Sequence, residues 1–409
     1  MLLLSHPTGN NFSRALLAGL LEANRLGAFA TCVAVKEADR LIHVLPRSLR
    51  RELLRRKFDV PTEMLVTRPW MELARLAASR AGLNFLTRNE TGLCSWGAVF
   101  RDFDRFVAAQ LPALATRKHL TAVYCYEDAA WHTFQSAKNL GLRTCYDLPI
   151  AYWETSQQLL REECERLPEW AVTIEGLRDS SEKLARKTRE LEMADLVVCP
   201  SAFVLESLPE AIRNQKDCII AKFGSPPPRT LRAAEQAETR RPLRILFAGS
   251  MSQRKGLADV FAAMKIVNRP DVELVVFGSP VAPMEFYKSR FPNFIHEPPR
   301  PHEEVLRLME SCDLLLLPSI VEGRALVQQE AMSCGLPLII TPNTGGADLV
   351  EEGETGFLVP IRSPEKIAEK IEWFAENRDA LPSMRLRAQE KAALLAWKEY
   401  TRTIIGALP

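Results

Sequence analysis

Residues Asp313 to Thr341 read DLLLLPS, then IVEGRALVQQEAMSCG, then LPLIIT. The unbroken apolar run Leu314 to Leu317 predicts a strand buried on both faces, which is the mark of a parallel α/β sheet. It stops at Pro318-Ser319. After a short polar turn, Ala325 to Cys334 predicts a helix closed by Gly335, with Pro337 beyond it as a C-terminal stop. A second buried strand follows. Two carboxylates, Glu322 and Glu330, stand eight positions apart across this turn and helix. Glu322 falls at the helix N-terminus, where free amide groups and the dipole favour an anion such as a phosphate. Glu330 falls about two turns later among apolar or small neighbours. A carboxylate there is either solvated on an outer face or accepts hydrogen bonds from vicinal sugar hydroxyls.

The same strand–turn–helix grammar recurs along the chain. Met1 to Leu4 is a short strand that breaks at SHPTGNN, with a helix from about Asn11 to Asn24. Gly9 and Asn10 then sit where a ligand-facing loop would lie, and His6 either faces that crevice or caps the strand. Residues 27–35 and 121–126 are further strands. Glu127 and Asp128 end the second of these, either to orient an acceptor hydroxyl or to cap the next helix, which holds His132. Asp147, Tyr152 and Trp153 follow a third strand. Residues 154–193 read as long, charged and helical. The segment Asp102-Phe103-Asp104 is formally D-x-D, but it lies in a helical pattern without a turn residue and reads as two surface acids. A proline- and charge-rich stretch, 225–241, separates an N-terminal domain (1–224) from a C-terminal one (242–395). The C-terminal domain opens with a buried strand, Gly249, a polar turn and Arg254-Lys255-Gly256. Two cations at a strand's carboxyl end suit a diphosphate, and at a helix start they oppose the dipole unless an anion is near. The chain has neither a Walker A loop nor a G-x-G-x-x-G.

Composition narrows the class. A length of 409 residues suits two domains, and a formal net charge of +2 leaves no footprint for nucleic acid. Nine scattered cysteines without a C-x-x-C pair fit reduced thiols in the cytoplasm. No metal-ligand spacing occurs. One stretch, 47–57, carries Arg47, Arg50, Arg51, Arg55, Arg56 and Lys57 with a narrow leucine stripe. It is either a solvated cationic face or a basic amphipathic helix lying on an anionic membrane.

Residues 243–360 resemble the retaining nucleotide-sugar glycosyltransferases of family 4. The resemblance rests on Gly249…Arg254-Lys255-Gly256, Pro318-Ser319-x-x-Glu322-Gly323, the Glu322/Glu330 pair, EAMSCGLPLI and TGG…LVEEGETGFLVP. It implies a GT-B fold: two Rossmann-like, doubly wound α/β domains facing across a cleft, with the final helix (396–409) crossing back to the N-terminal domain. It implies a donor UDP-, GDP- or ADP-sugar, a carbohydrate or lipid-linked acceptor, and no metal. In those terms Arg254 and Lys255 contact the diphosphate, with Gly249 and Ser250 beside them. Glu322 reaches the donor sugar, the backbone of Gly323, Arg324, Ala325 and Leu326 lines the sugar-phosphate site, and Glu330 holds the ribose. Glu127 and Gly9 are the candidates on the opposite wall. Three departures stand out. Ser250 replaces an arginine, so Arg254 inherits its role; Arg324-Ala325 replaces Phe-Gly; and Tyr126 stands where several members have histidine. The rival readings are a nucleotide-sugar epimerase of the same architecture and a non-catalytic binding protein.

Overall fold

The computed structural model describes residues 1–35, 50, 53–230 and 241–409. Most of the 225–241 linker, and residues 47–49 and 51–52 of the basic stretch, therefore lie outside the described residues.

Two all-parallel sheets organise the chain. The first has the order β3-β2-β1-β4-β5-β6-β7, built from Leu65–Thr67, Leu26–Thr31, Leu2–Ser5, Ala122–Tyr126, Arg143–Asp147, Leu196–Cys199 and Asp217–Ile220. The second has the order β10-β9-β8-β11-β12-β13, from Phe294–Glu297, Val272–Phe277, Leu243–Ala248, Leu314–Leu317, Leu338–Ile340 and Gly356–Leu358. In each, the order reverses beside the first strand, which opens a crevice at the carboxyl ends. The uninterrupted apolar runs explain the layout: β1, β6 and β11 are buried along their whole length, because helices cover both faces. Here the expected architecture, two Rossmann-like domains across a cleft, is observed. The strand expected over 27–35 is shorter and ends at Thr31.

The last helix, Trp397–Gly406, returns to the first domain. Tyr400 and Ile404 share a core with Leu16, Leu17 and Leu20 of helix Asn11–Glu22. The two helices meet closely at Gly19, where a Cβ would lie 2.6 Å from that of Thr401.

One expectation needs correcting. Residues 154–193 do not form one helix: they divide into Trp153–Arg166, a 3-10 turn Pro168–Thr173 and Ser181–Met193. Pro168 supplies no N–H and starts the new turn. The break turns this segment into a strap that leaves its own domain, and Trp170 inserts into the second domain's core against Phe261, Phe286 and Tyr287. Arg166 forks onto Asp259 with two bonds of 2.9 Å. A Trp170→Ala substitution should cost about 3–5 kcal/mol and loosen the two domains together; urea unfolding followed by tryptophan-independent circular dichroism measures the loss.

Candidate active site

The site forms where the second domain's β8 and β11 end. Gly249 leaves β8 at φ 153°, and Gln253–Lys255 make a single 3-10 turn closed by Gly256 at φ 77°. A side chain on Gly256 would strike the carbonyl of Pro318 at 2.1 Å, so only glycine lets this loop pack under the end of β11. The two loops then meet through charge. The carboxylate of Glu322 lies 2.5 Å from both Arg254 Nη1 and Lys255 Nζ. Ile320 N also donates to Arg254 O at 2.9 Å.

Glu322 and Lys255 are both buried. Burial alone raises a carboxyl pKa, but the charges of Lys255 and Arg254 and their hydrogen bonds outweigh it and hold Glu322 below its ordinary value. Lys255 moves downward as well: its burial outweighs the help from Glu322, and Arg254 adds a like charge. The asymmetry is physical, since one carboxylate serves two cations. Beyond them the residues expected at the donor site come together. Gly249, Lys255, Glu322, Gly323, Arg324, Ala325, Leu326 and Glu330 all line one cavity of about 580 Å³. Helix Leu326–Ser333 starts there without a side-chain cap, so its first amides are available to an anion. Glu330 is raised by burial, which His302 Nδ1 at 3.9 Å partly offsets.

Ser250 and Arg254 line a second, smaller cavity of about 250 Å³ instead. Arg324 lines the larger cavity, but its side chain is buried and does not point to solvent. Its guanidinium is spent on Asp348 (2.7 and 3.2 Å) and Gly345 O (2.9 Å), and Lys222 of the first domain joins Asp348 at 3.1 Å.

The first domain closes directly on this structure. Ser201 Oγ donates to Gly323 O at 2.6 Å, and a Cβ on Gly323 would fall 1.7 Å from Pro149 O. Gly9 is not on the cavity wall. It turns at φ 70° against the Phe58 ring and donates its N–H to His6 Nδ1 at 2.8 Å; Phe12, three residues on, is the wall residue. His6 thus organises its own loop, and burial depresses it to about 3, so it is neutral.

Two readings of the acids are corrected. Asp104 is no surface acid: it is buried and accepts from His132 N (2.7 Å) and Thr133 N (2.9 Å), capping helix Trp131–Asn139 from outside. Asp102 pairs with Arg68 at 3.0 Å. Glu127 and Asp128 are consequently not caps. Glu190 takes the remaining first-turn amides, from Ala130 and Trp131, and Glu127 pairs with Lys187 at 3.2 Å. Lys187 lines the smaller cavity; sequence gave it no distinction from the other charges of its helix.

Gln253 was missed for the same reason, and it ties the cation loop to the strap. Its Nε2 donates to Glu163 (2.7 Å) and Asp259 (2.8 Å), its Oε1 accepts from Ala258 N (2.9 Å), and its own N–H donates to Thr173 Oγ1 (3.0 Å).

Residues 228–393 match the family Glycosyl transferases group 1. A putative colanic acid biosynthesis glycosyltransferase, WcaL of Salmonella typhimurium, is 36% identical over 101 residues, covering 23% of this chain and 25% of the relative. A D-inositol 3-phosphate glycosyltransferase of Paenarthrobacter aurescens is 28% identical over 38% of this chain and 40% of its own. The chain therefore spans well under half the length of these curated relatives. Among solved structures, sucrose-phosphate synthase of Thermosynechococcus elongatus superposes with a TM-score of 0.62 at 17% identity, over 99% of this chain and 97% of the other. HepE of Anabaena in complex with UDP gives 0.60 at 14% identity, over 99% and 98%. The fold is GT-B.

Asp147, at the carboxyl end of β5, is buried, lines neither cavity, and gives the first domain a pH signature. Burial, with Glu127 adding to it, pushes its carboxyl up to about 8. The folded state thus binds a proton more tightly than the unfolded chain, and stability falls as pH rises from about 4 through that value. Asp147→Asn, neutral throughout, should melt with the parent at pH 4–5 and progressively above it toward pH 9. Parallel melting curves across the range would show that Asp147 is not the source of this pH dependence.

Proposed function

With a glycosyl transferases group 1 domain over residues 228–393 as its premise, we propose that the chain transfers a sugar from a nucleotide diphosphate sugar to an acceptor hydroxyl with retained anomeric configuration. The observation that carries this is the buried Glu322 shared by Arg254 and Lys255 at the rim of the larger cavity. An arriving diphosphate is the stronger bidentate acceptor and takes over the two cations. Glu322 is then released toward the hydroxyls of the sugar attached to that diphosphate. Glu330, at the cavity's other end, accepts from the ribose, and the first amides of helix Leu326–Ser333 face the phosphates. Charge that develops on the leaving diphosphate is met by groups already in place, which is the largest lever such sites have. Arg254 and Lys255 supply that charge without a metal ion in this reading. The bond from the anomeric carbon to the phosphate oxygen breaks with its electrons on the phosphate. The acceptor oxygen bonds to the carbon from the same face, and its proton passes to the leaving phosphate oxygen.

UDP is the favoured nucleotide, since the Anabaena neighbour was solved with UDP. The acceptor is a glycan or a lipid-linked precursor, in keeping with the colanic acid biosynthesis for which the Salmonella relative is named. An epimerase gains nothing from the geometry: His6 is turned onto its own loop and His302 stands beside Glu330.

The protein acts in the cytoplasm, at the inner membrane surface. No described helix is long and apolar enough to cross a membrane. Arg55 lines the larger cavity and Arg56 is buried against Glu72 at 2.6 Å, which leaves Arg47, Arg50 and Arg51 as the basic residues for this role; downstream, Trp70, Phe85, Leu93 and Trp96 are exposed, a combination suited to an anionic lipid surface. Flotation with phosphatidylglycerol liposomes at low salt should carry the protein up and release it at high salt; no flotation at low salt rejects the membrane site.

The donor reading predicts a split between binding and turnover. Lys255→Ala should lose both UDP affinity and transfer, the latter by about 10²–10³-fold. Glu322→Gln should lose transfer to a similar degree yet bind free UDP at least as tightly as the parent, because it no longer competes for the cations. Nucleotide release over a panel of UDP-, GDP- and ADP-sugars, with calorimetric titration of UDP, measures both. Full transfer by either variant would refute the site.

A further inference from the structure

The donor reading draws only Arg254 from the lining of the smaller cavity, about 250 Å³, and both domains build that cavity. Trp153 and Gln157 come from the first helix of the strap, Thr173 from its 3-10 turn, Lys187 from helix Ser181–Met193, and Ser250 and Arg254 from the cation loop. Ile150 lines both cavities. The Arg254–Glu322 pair is therefore the partition between them: Arg254 belongs to the smaller space and Glu322 to the larger.

Size and chemistry narrow the occupant. The volume is under the ~300 Å³ at which pockets for larger ligands begin, which suits one ring and not a disaccharide. An indole beside hydroxyls and a carboxamide offers an apolar face with hydrogen-bonding edges, the complement of a pyranose. Charge excludes a phosphorylated ring. Lys187 is already matched by Glu127 at 3.2 Å and Asp128 at 3.7 Å, Arg254 is matched by Glu322, and the lining acids Glu175 and Asp179 are matched by Arg178 at 3.6 Å and Lys183 at 2.8 Å. No positive charge is left over.

We propose that this cavity is the acceptor subsite and that it takes a single uncharged pyranose ring, whose nucleophilic hydroxyl points past Arg254 toward the donor. The proposal rests on the donor reading above and extends it. Lys187 orients acceptor hydroxyls, and Glu127, which lines neither cavity, is a positioning residue acting through Lys187. The strap thus has two tasks: it roofs the acceptor, and through Glu163 and Gln253 it fixes the loop that binds the donor.

The test titrates methyl α-glucoside, methyl α-galactoside and methyl α-mannoside into UDP-saturated protein by calorimetry. At least one glycoside should bind, and Ser156→Phe, which fills the cavity from helix Trp153–Arg166, should weaken it by about tenfold or more with the UDP Kd unchanged. Gln157→Ala serves as the second variant if Ser156→Phe loses UDP binding and hence its fold. Glu127→Gln should weaken the glycoside without moving the UDP Kd, and Glu127→Asp should restore it. Three results overturn the proposal: UDP binds but no glycoside does, neither filled nor trimmed variant changes glycoside affinity, or glucose 6-phosphate binds better than methyl glucoside. Failure of UDP itself to bind is a different result and removes the donor reading beneath it.

Discussion

A carboxylate shared by two cations at a buried junction holds this site together. Glu322 out of water is tolerable only because Arg254 and Lys255 meet it at 2.5 Å, and removing one partner from such a group typically costs several kcal/mol. The interaction joins β8 to β11, whose side-by-side ends define the crevice, so the fold's topology and the site's charge are one arrangement. Such a pair is weak evidence for stability, since apolar residues of equal volume often do as well. In the proposed reading its role is exchange: the cations are stored next to an internal anion until an external one displaces it.

That exchange requires the first domain to come close, and the contact is made by backbone. Gly323 admits Pro149 where any side chain would collide, and Ser201 reads the Gly323 carbonyl. The strap works differently. Trp170 sits in the second domain's core and Arg166 forks onto Asp259, so this part of the first domain travels with the second. Domain closure of this kind excludes water and completes the constellation of groups.

How much of this was readable beforehand depends on distance along the chain. The buried strands, their parallel class and the helix after Glu322 follow from local runs such as LLLL, since period and punctuation act over a few residues. Part of the larger cavity's second-domain lining was legible too, because Gly249, Lys255 and Glu322 to Leu326 lie in two short loops; Phe277, Arg300, His302 and Val305 come from elsewhere in the domain and were not. What sequence did not show is pairing across long separations. Lys187 meets Glu127 only once a helix is laid over the end of β4, and Asp104 caps a helix 28 positions away. Arg324, two positions from Glu322, looked like a ligand residue until the fold brought Asp348 to it. The strap was hidden for another reason: residues 154–193 are helical on both sides, and only Pro168 marks the turn that lets Trp170 leave its domain.

The 3-10 turn Gln253–Lys255 explains why one loop can serve every surface around it. With three residues per turn, successive side chains leave the axis about 120° apart. Three consecutive side chains therefore leave the turn in different directions, and the long side chains of Arg254 and Lys255 still converge on the Glu322 carboxylate from there. Gln253 goes to the strap, Arg254 to the smaller cavity and Lys255 to the larger. An α-helical turn would crowd such side chains at 100° and a strand would alternate them over two faces. The tight turn instead sends one residue to the interface and lets one cation line each cavity while both reach Glu322. Gly256 closes it at a positive φ, under a carbonyl that excludes any side chain. A single glycine thus sets the geometry by which the two domains, and the two cavities between them, are referred to one carboxylate.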